Sequence, residues 1–237
     1  TPEAFIKKIR NTTLEHFGRR GKAIVISLKP KGYLIIQPKM SGYLMFGKKA
    51  SNLEITSATK AVFRLSNDAV LHYNDHRMFG WLYYVEDLKA VKYFQNLGPE
   101  PLEKNFTVDL LKASLSRRVS PIKVVLMNQA VVAGIGNIYA SEILFDVKID
   151  PRRKATSLKA AEMKKLHASI QKTLRVAIEA RGSSLRDYRD TSGQKGNFVQ
   201  LIKVYNRAGK SCPRCKGVIQ KIVQAQRSTF SCPHCQT

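Results

Sequence analysis

The sequence predicts an α+β protein in three successive parts: an antiparallel β-sandwich, a helical domain and a small metal-bound finger. Three observations predict it. Short β-rich runs separated by turn residues fill the chain up to Val85. Past a stretch rich in proline and glycine, the apolar residues change to three- and four-residue spacing. All four cysteines fall within the last 26 residues.

Taken in order, Pro2 to Ile9 reads as a short helix. Proline stands at an early position, Glu3 lies in the first turn, and Phe5, Ile6 and Ile9 share a face. The β-rich runs are Ala23–Leu28, Tyr33–Ile36, Gly42–Phe46, Thr59–Leu65, Val70–Tyr73 and Trp81–Val85. Glu86 to Gln95 reads as helical. Residues 96–106, opening Asn96-Leu97-Gly98-Pro99-Glu100-Pro101-Leu102, read as a linker. Helical periodicity then covers Val108–Leu115, Ser120–Asn128, Asn137–Val147 and Ser157–Arg181. Ser120-Pro121 suggests an N-cap with proline at the first helical position, and Gly182 suggests a terminator for the long helix. Ser192–Asn197 reads as a flexible polar loop. The expected domains are 1–95, 107–198 and 199–237.

At 237 residues the chain can bury a sizeable core. Lys+Arg is 41 against 17 Asp+Glu, so the formal charge is +24. A hydrophobic fraction of 43% excludes a disordered basic tail. No apolar run suits a membrane span, and no secretory signal opens the chain. Such a field attracts polyanions, with nucleic acid first among them. A membrane surface would want one basic amphipathic helix, whereas this charge is spread along the whole length.

Cys212, Cys215, Cys232 and Cys235 form two C-x2-C pairs sixteen residues apart. This spacing reads as two knuckles on one tetrahedral zinc. Four thiolates close the coordination shell, so the ion is structural, and a reducing compartment follows. Redox pairs or free thiols are the competing reading. From Thr191 onward there are eight Lys/Arg and no acids. Arg227 stands where the tip of a hairpin between the knuckles falls. Taken alone, it could equally be a solvated loop arginine.

Val131 to Glu142 joins two helices through Gly134-Ile135-Gly136. Asn137 suits an N-cap there, and the free amides of a helix start can hold a phosphate. The dinucleotide fingerprint is excluded: no strand feeds the motif, and Tyr139 stands where its third glycine belongs.

These residues together resemble the formamidopyrimidine-DNA glycosylase family across essentially the whole chain. The motifs are Arg19-Arg20-Gly21-Lys22, Met40-Ser41-Gly42, Asp75-His76-Arg77-Met78-Phe79-Gly80, Leu97 to Leu102, Val131 to Glu142, Val204-Tyr205, and the four cysteines with Gln226-Arg227. The resemblance implies a β-sandwich, a helix–two-turn–helix domain and a zinc finger. It implies base-excision repair of oxidised purines in double-stranded DNA by a glycosylase with abasic-site lyase activity. By resemblance, Lys22, Asn137, Tyr205 and Arg227 grip phosphates, and Lys123 supports the site near the lesion. Met40, Arg77 and Phe79 fill the hole left by an everted nucleotide. On residue type alone, core packing is the default for Met40 and Phe79. Gln194, Lys195, Gly196, Asn197 and Phe198 fall in the loop that closes over oxidised guanine, which favours this branch over endonuclease VIII, the glycosylase for oxidised pyrimidines.

Three departures stand out. The family opens Pro-Glu-Leu-Pro-Glu, and its proline amine attacks the sugar. This chain opens Thr1-Pro2-Glu3-Ala4-Phe5-Ile6, which matches the segment before Arg19. The expectation is a sandwich lacking roughly thirty-five residues of the family's start, more than ordinary loop variation gives. On that reading the chain as given is inactive and its catalytic residues are unknown. Gln37 replaces a phosphate-contacting His, and Asn206 replaces a Gly. A non-catalytic damaged-DNA-binding protein is therefore the alternative; a zinc-ribbon RNA-binding or scaffold protein fits the motifs less well. A bacterial, cytoplasmic, nucleoid-associated monomer with no membrane partner is expected.

Overall fold

The computed structural model describes residues 1–184 and 189–237. The described chain divides into two compact units: Thr1–Gln95 with Ala180–Val199, and Asn96–Glu179 with Gln200–Thr237. Segment 180–198 was expected with the helical domain. It joins the sheets instead, because the Phe46 amide donates to the Thr191 carbonyl.

In the first unit, α1 (Pro2–Ile9) is capped by the Thr1 hydroxyl, with Glu3 in the first turn. Two antiparallel sheets follow. One has the order β1 (Thr13–Arg20), β2 (Ala23–Lys29), β3 (Tyr33–Gln37), β7 (Trp81–Val85). The other has the order β4 (Gly42–Gly47), β6 (Val70–Asp75), β5 (Thr59–Arg64). Ile26, Leu28, Leu34 and Ile36 from the first sheet meet Tyr73, Leu44 and Phe63 from the second, as a sandwich requires. The outer face of the first sheet is also covered. Ile35, Trp81 and Val85 pack with Val91, Tyr93 and Phe94. Burial on both faces explains why β2 and β3 read as continuous apolar runs.

Strand β1 has no counterpart in the sequence expectations. It is an edge strand with five of eight residues exposed, so no apolar alternation marks it. The helix expected over Glu86–Gln95 shrinks to a 3-10 turn at Leu88–Ala90 and α2 (Lys92–Gln95). There the Asp87 carboxylate accepts from the Lys89 amide and starts a new turn.

The second unit holds α3 (Val108–Leu115), α4 (Ile122–Met127), α5 (Asn137–Asp146), α6 (Ala160–Glu179) and the hairpin β8 (Gln220–Gln224) with β9 (Arg227–Ser231). Leu111, Leu115, Ile122, Leu126, Ile143, Leu144, Leu166 and Ile170 form its core. Several helix ends differ from expectation. Pro121, not Ser120, occupies the N-cap position of α4, because the Ser120 carbonyl is taken by the Ala155 amide. Gly136, not Asn137, precedes α5 as its N-cap. Residues 155–157 form a 3-10 turn, and α6 starts only at Ala160. Helix α6 ends at Glu179, with Arg181 and Gly182 both left-handed at φ 57° and 86°.

Candidate nucleic-acid interface

Two chain crossings at one end of the sandwich carry the expected wedge. The turn after β3 delivers Met40 before β4 begins, and loop 76–80 leaves β6 for β7. The pairings Gln37↔Trp81 and Gly42↔Asp75 bring these crossings side by side. Met40 and Phe79 are 54% and 55% exposed, so core packing, the default for their residue types, is overturned. The Arg77 guanidinium lies 4.7 Å from the centre of the Phe79 ring.

Beneath the two loops sits Asp75, fully buried. Its carboxylate accepts from the Ser41 hydroxyl at 2.5 Å, the Gly80 amide at 2.8 Å, the Arg77 amide at 3.2 Å and the Tyr73 hydroxyl at 3.3 Å. Burial pushes the acid's pKa up, but the donors outweigh burial and hold it below the ordinary value. Burial, with Asp75 alongside, drives the Tyr73 phenol above its normal range. Gly80 leaves no room for a side chain, because a Cβ there would sit 1.8 Å from the Tyr73 hydroxyl.

Lys22 is exposed on the β1–β2 turn, where Gly21 takes φ 58°, and its amide donates to the Tyr93 hydroxyl. Gln37 lies on β3 at 2% exposure with its side-chain oxygen unpartnered. The loop Ser192–Asn197, expected to be flexible, is tied by Asp190, whose carboxylate accepts from the Ser192 and Gln194 amides at 2.9 Å. Arg181 donates to the Gln194 side chain. Lys195 and Asn197 are exposed, while Gly196 and Phe198 are buried.

In the second unit the double turn is knitted by Gln129. Its oxygen accepts from the Gly134 amide, and its nitrogen donates to the Met127 and Ile135 carbonyls. Gly134 sits at φ 86°. The turn delivers Asn137 to the first position of α5, beside Lys123 of α4. Lys123 is 1% exposed and donates to Asn137 Oδ1 at 2.6 Å, Thr229 Oγ1 at 2.7 Å and the Ser228 carbonyl at 2.9 Å. An ammonium has three donors, and all three are engaged. Burial, then the charge of Arg227, lower its pKa to about 8. Lys123, expected to support the site near the lesion, is a buried tie between α4, α5 and β9. Arg227 is the exposed first residue of β9, following a two-residue turn in which Ala225 and Gln226 both take positive φ.

Glu142, one turn into α5, accepts from the amides of Lys203, Val204 and Tyr205 at 2.8–3.0 Å. This fixes Tyr205, whose ring meets Phe230 edge-on at 5.1 Å. Asn206 sits at φ 57°, which a glycine or an asparagine tolerates.

The four cysteine sulfurs lie within 4.8 Å of one another. The Cys212–Cys235 and Cys215–Cys232 separations are 3.8 and 3.5 Å. A tetrahedron of Zn–S bonds of about 2.3 Å needs edges of about 3.8 Å, so the set fits one zinc. Arg214, inside the first knuckle, stacks on Phe145 and donates to the carbonyls of Phe145 and Asp146 at the end of α5. A cation there suits the negative pole of the helix. The finger thus grips α5 at both ends, through Lys123 and through Arg214.

Ser41, Asp75, Glu142 and Arg214 were not singled out from the sequence. For Asp75 and Glu142 only burial separates a buried acceptor from a surface acid, and the partners of Ser41 and Arg214 lie 34 and 69 residues away.

Family models match in three places: the formamidopyrimidine-DNA glycosylase N-terminal domain at residues 1–82, the formamidopyrimidine-DNA glycosylase H2TH domain at 97–189, and the zinc finger found in FPG and IleRS at 209–237. The chain is 40% identical over 234 residues to the formamidopyrimidine-DNA glycosylase of Pelotomaculum thermopropionicum, covering 98% of this chain and 84% of that protein. The Carboxydothermus hydrogenoformans enzyme is also 40% identical, over 99% and 85%. Among solved structures, Lactococcus lactis Fpg in complex with abasic-site DNA superposes with a TM-score of 0.91 at 31% identity, covering 99% of this chain and 86% of that one. MutM (Fpg) from Thermus thermophilus gives 0.87 at 34% identity, covering 96% and 86%.

Proposed function

The chain belongs to the formamidopyrimidine-DNA glycosylase family, and we propose that it serves base-excision repair: it binds double-stranded DNA at oxidised purines or abasic sites, excises the base and cleaves the strand. The observation that carries this reading is the pair of half-exposed apolar side chains, Met40 and Phe79, with Arg77 stacked on Phe79 over a buried carboxylate. Large apolar groups held out in solvent beside a cation suit a hole in a base stack. Met40 and Phe79 stack in the gap, and Arg77 hydrogen-bonds the orphaned base.

Four residues grip the backbone. Asn137 offers its position at the start of α5, where helix amides and dipole favour an anion. Arg227 and Lys22 supply exposed charge, and Tyr205 a hydroxyl. Lys123 acts from behind by holding Asn137 in place along with the strand that carries Arg227. Gln194 to Phe198 form the lesion-facing loop. One structural zinc, held by Cys212, Cys215, Cys232 and Cys235, keeps the hairpin in register. A formal charge of +24 attracts the duplex before any specific contact forms. No helix among the described residues is long and apolar enough to cross a membrane.

The test is borohydride trapping of the protein on a duplex carrying one abasic site. A lesion-dependent covalent adduct supports the glycosylase–lyase reading. Lesion-specific binding without adduct or strand scission would reduce the protein to a damage-binding one.

A further inference from the structure

The two wedge loops share one buried carboxylate. Half-exposed side chains such as Met40 and Phe79 have no core to hold them, so their placement must be set from beneath. What lies beneath is Asp75. Through Oδ1 it holds the Ser41 hydroxyl, next to Met40, and the Arg77 amide. Through Oδ2 it holds the Gly80 amide, next to Phe79. The Arg77 amide also donates to the Ser41 hydroxyl at 3.2 Å, so the two loops are cross-linked directly above the acid.

We propose that Asp75 is a positioning residue that locks Met40 and Arg77–Phe79 into one preformed wedge, with Ser41 as its link to the Met40 side. This rests on the wedge reading above. An ionised carboxylate only accepts, and every group aimed at it donates, so the loops fit one protonation state. The backbone is fitted as closely: a Cβ at Gly42 would meet the Pro38 carbonyl at 2.4 Å, and one at Gly80 the Tyr73 hydroxyl at 1.8 Å. A preformed wedge enters the duplex without first losing loop freedom, which is where affinity for the damaged site is gained.

The experiment uses this chain with a duplex bearing an abasic analogue opposite 2-aminopurine, whose emission reports what stacks against the orphaned base. Variants are Asp75→Asn, Ser41→Ala, Tyr73→Phe, Met40→Ala and Phe79→Ala. Asp75→Asn keeps the shape but turns one acceptor into a donor that faces other donors. Ser41→Ala and Asp75→Asn are expected to cut the preference for abasic over undamaged duplex on the order of tenfold, with undamaged-duplex affinity unchanged. Tyr73→Phe, which removes a donor to the acid but leaves both loop-to-acid links in place, should lower the preference less than Ser41→Ala does. Ser41→Ala should add little on a Met40→Ala background. If Asp75→Asn fails to fold, Ser41→Ala against Tyr73→Phe decides. The proposal is overturned if Ser41→Ala and Asp75→Asn keep full lesion preference while Met40→Ala and Phe79→Ala lose it. If Met40→Ala and Phe79→Ala also keep it, the wedge reading itself is wrong.

Discussion

Replacing Lys123 by methionine should leave the protein folded and damage its grip on DNA. Burial and then Arg227 bring the lysine's pKa from 10.5 to about 8. At about 1.4 kcal/mol per pKa step, holding that charge in the fold costs about 3 kcal/mol. Met removes this cost and keeps the length of the side chain. It also strips the partner from three acceptors. Asn137 can turn to water, but the fully buried Thr229 hydroxyl and the Ser228 carbonyl cannot do so freely. Each lost partner costs about 1–3 kcal/mol. The two sides partly cancel, so stability should move by no more than about 3 kcal/mol. Affinity should not survive as well, because Lys123 ties Asn137 to the strand that carries Arg227. The expected loss, on the order of tenfold, is read by fluorescence anisotropy on an abasic-analogue duplex at fixed salt. The pH dependence has a definite sign. Between the folded pKa of about 8 and the unfolded value of 10.5, the unfolded chain holds more protons at this site. The site therefore adds stability as pH rises through that window, and the Met variant should lack that slope. Wild-type affinity should also fall as pH passes 8, when the amine loses its third donor. A Met variant with wild-type affinity, zinc content and pH profile would refute the clamp.

Other outcomes follow from the same contacts. Cys215→Ser or exhaustive chelation should release the zinc, measured by metal analysis, and disorder β8–β9, seen as a loss of DNA binding alongside protease sensitivity near residue 225. Arg227→Ala should weaken binding by about 1–3 kcal/mol whatever the sequence, and flatten the salt dependence by about one phosphate contact; Asn137→Ala should act in the same direction. Glu142→Gln replaces a carboxylate that accepts from three amides, so thermal unfolding should show a loss of about 1–3 kcal/mol, with the Tyr205 segment exchanging amide protons faster.

Much of the fold was legible because its signals are local. The cysteine spacing alone gives the finger, and the change from β-rich runs to helical spacing marks the break near Asn96. Strand β1 was not legible, since an edge strand with few buried residues leaves no alternation to read. Helix starts slipped by a residue or more because tertiary contacts took the caps. The Ser120 carbonyl went to Ala155, and the Asn137 side chain went to Lys123. The site was legible as a list of residues but not as a mechanism. Met40 and Phe79 look like core residues until their exposure is known. Lys123 reads only as a residue near the lesion until its burial and its three partners are known. Asp75 and Ser41 lie in quoted motifs, yet no spacing rule shows a carboxylate 34 residues from the hydroxyl it holds.

The most direct test compares equilibrium affinity for two duplexes of one sequence at fixed salt, one intact and one carrying a single abasic analogue. The wild-type chain should prefer the damaged duplex by roughly tenfold or more, and the Met40→Ala/Phe79→Ala double variant should bind both with the wild type's affinity for intact DNA. Equal wild-type affinity for the two duplexes, or a double variant with undiminished preference, would contradict recognition of damage by this wedge.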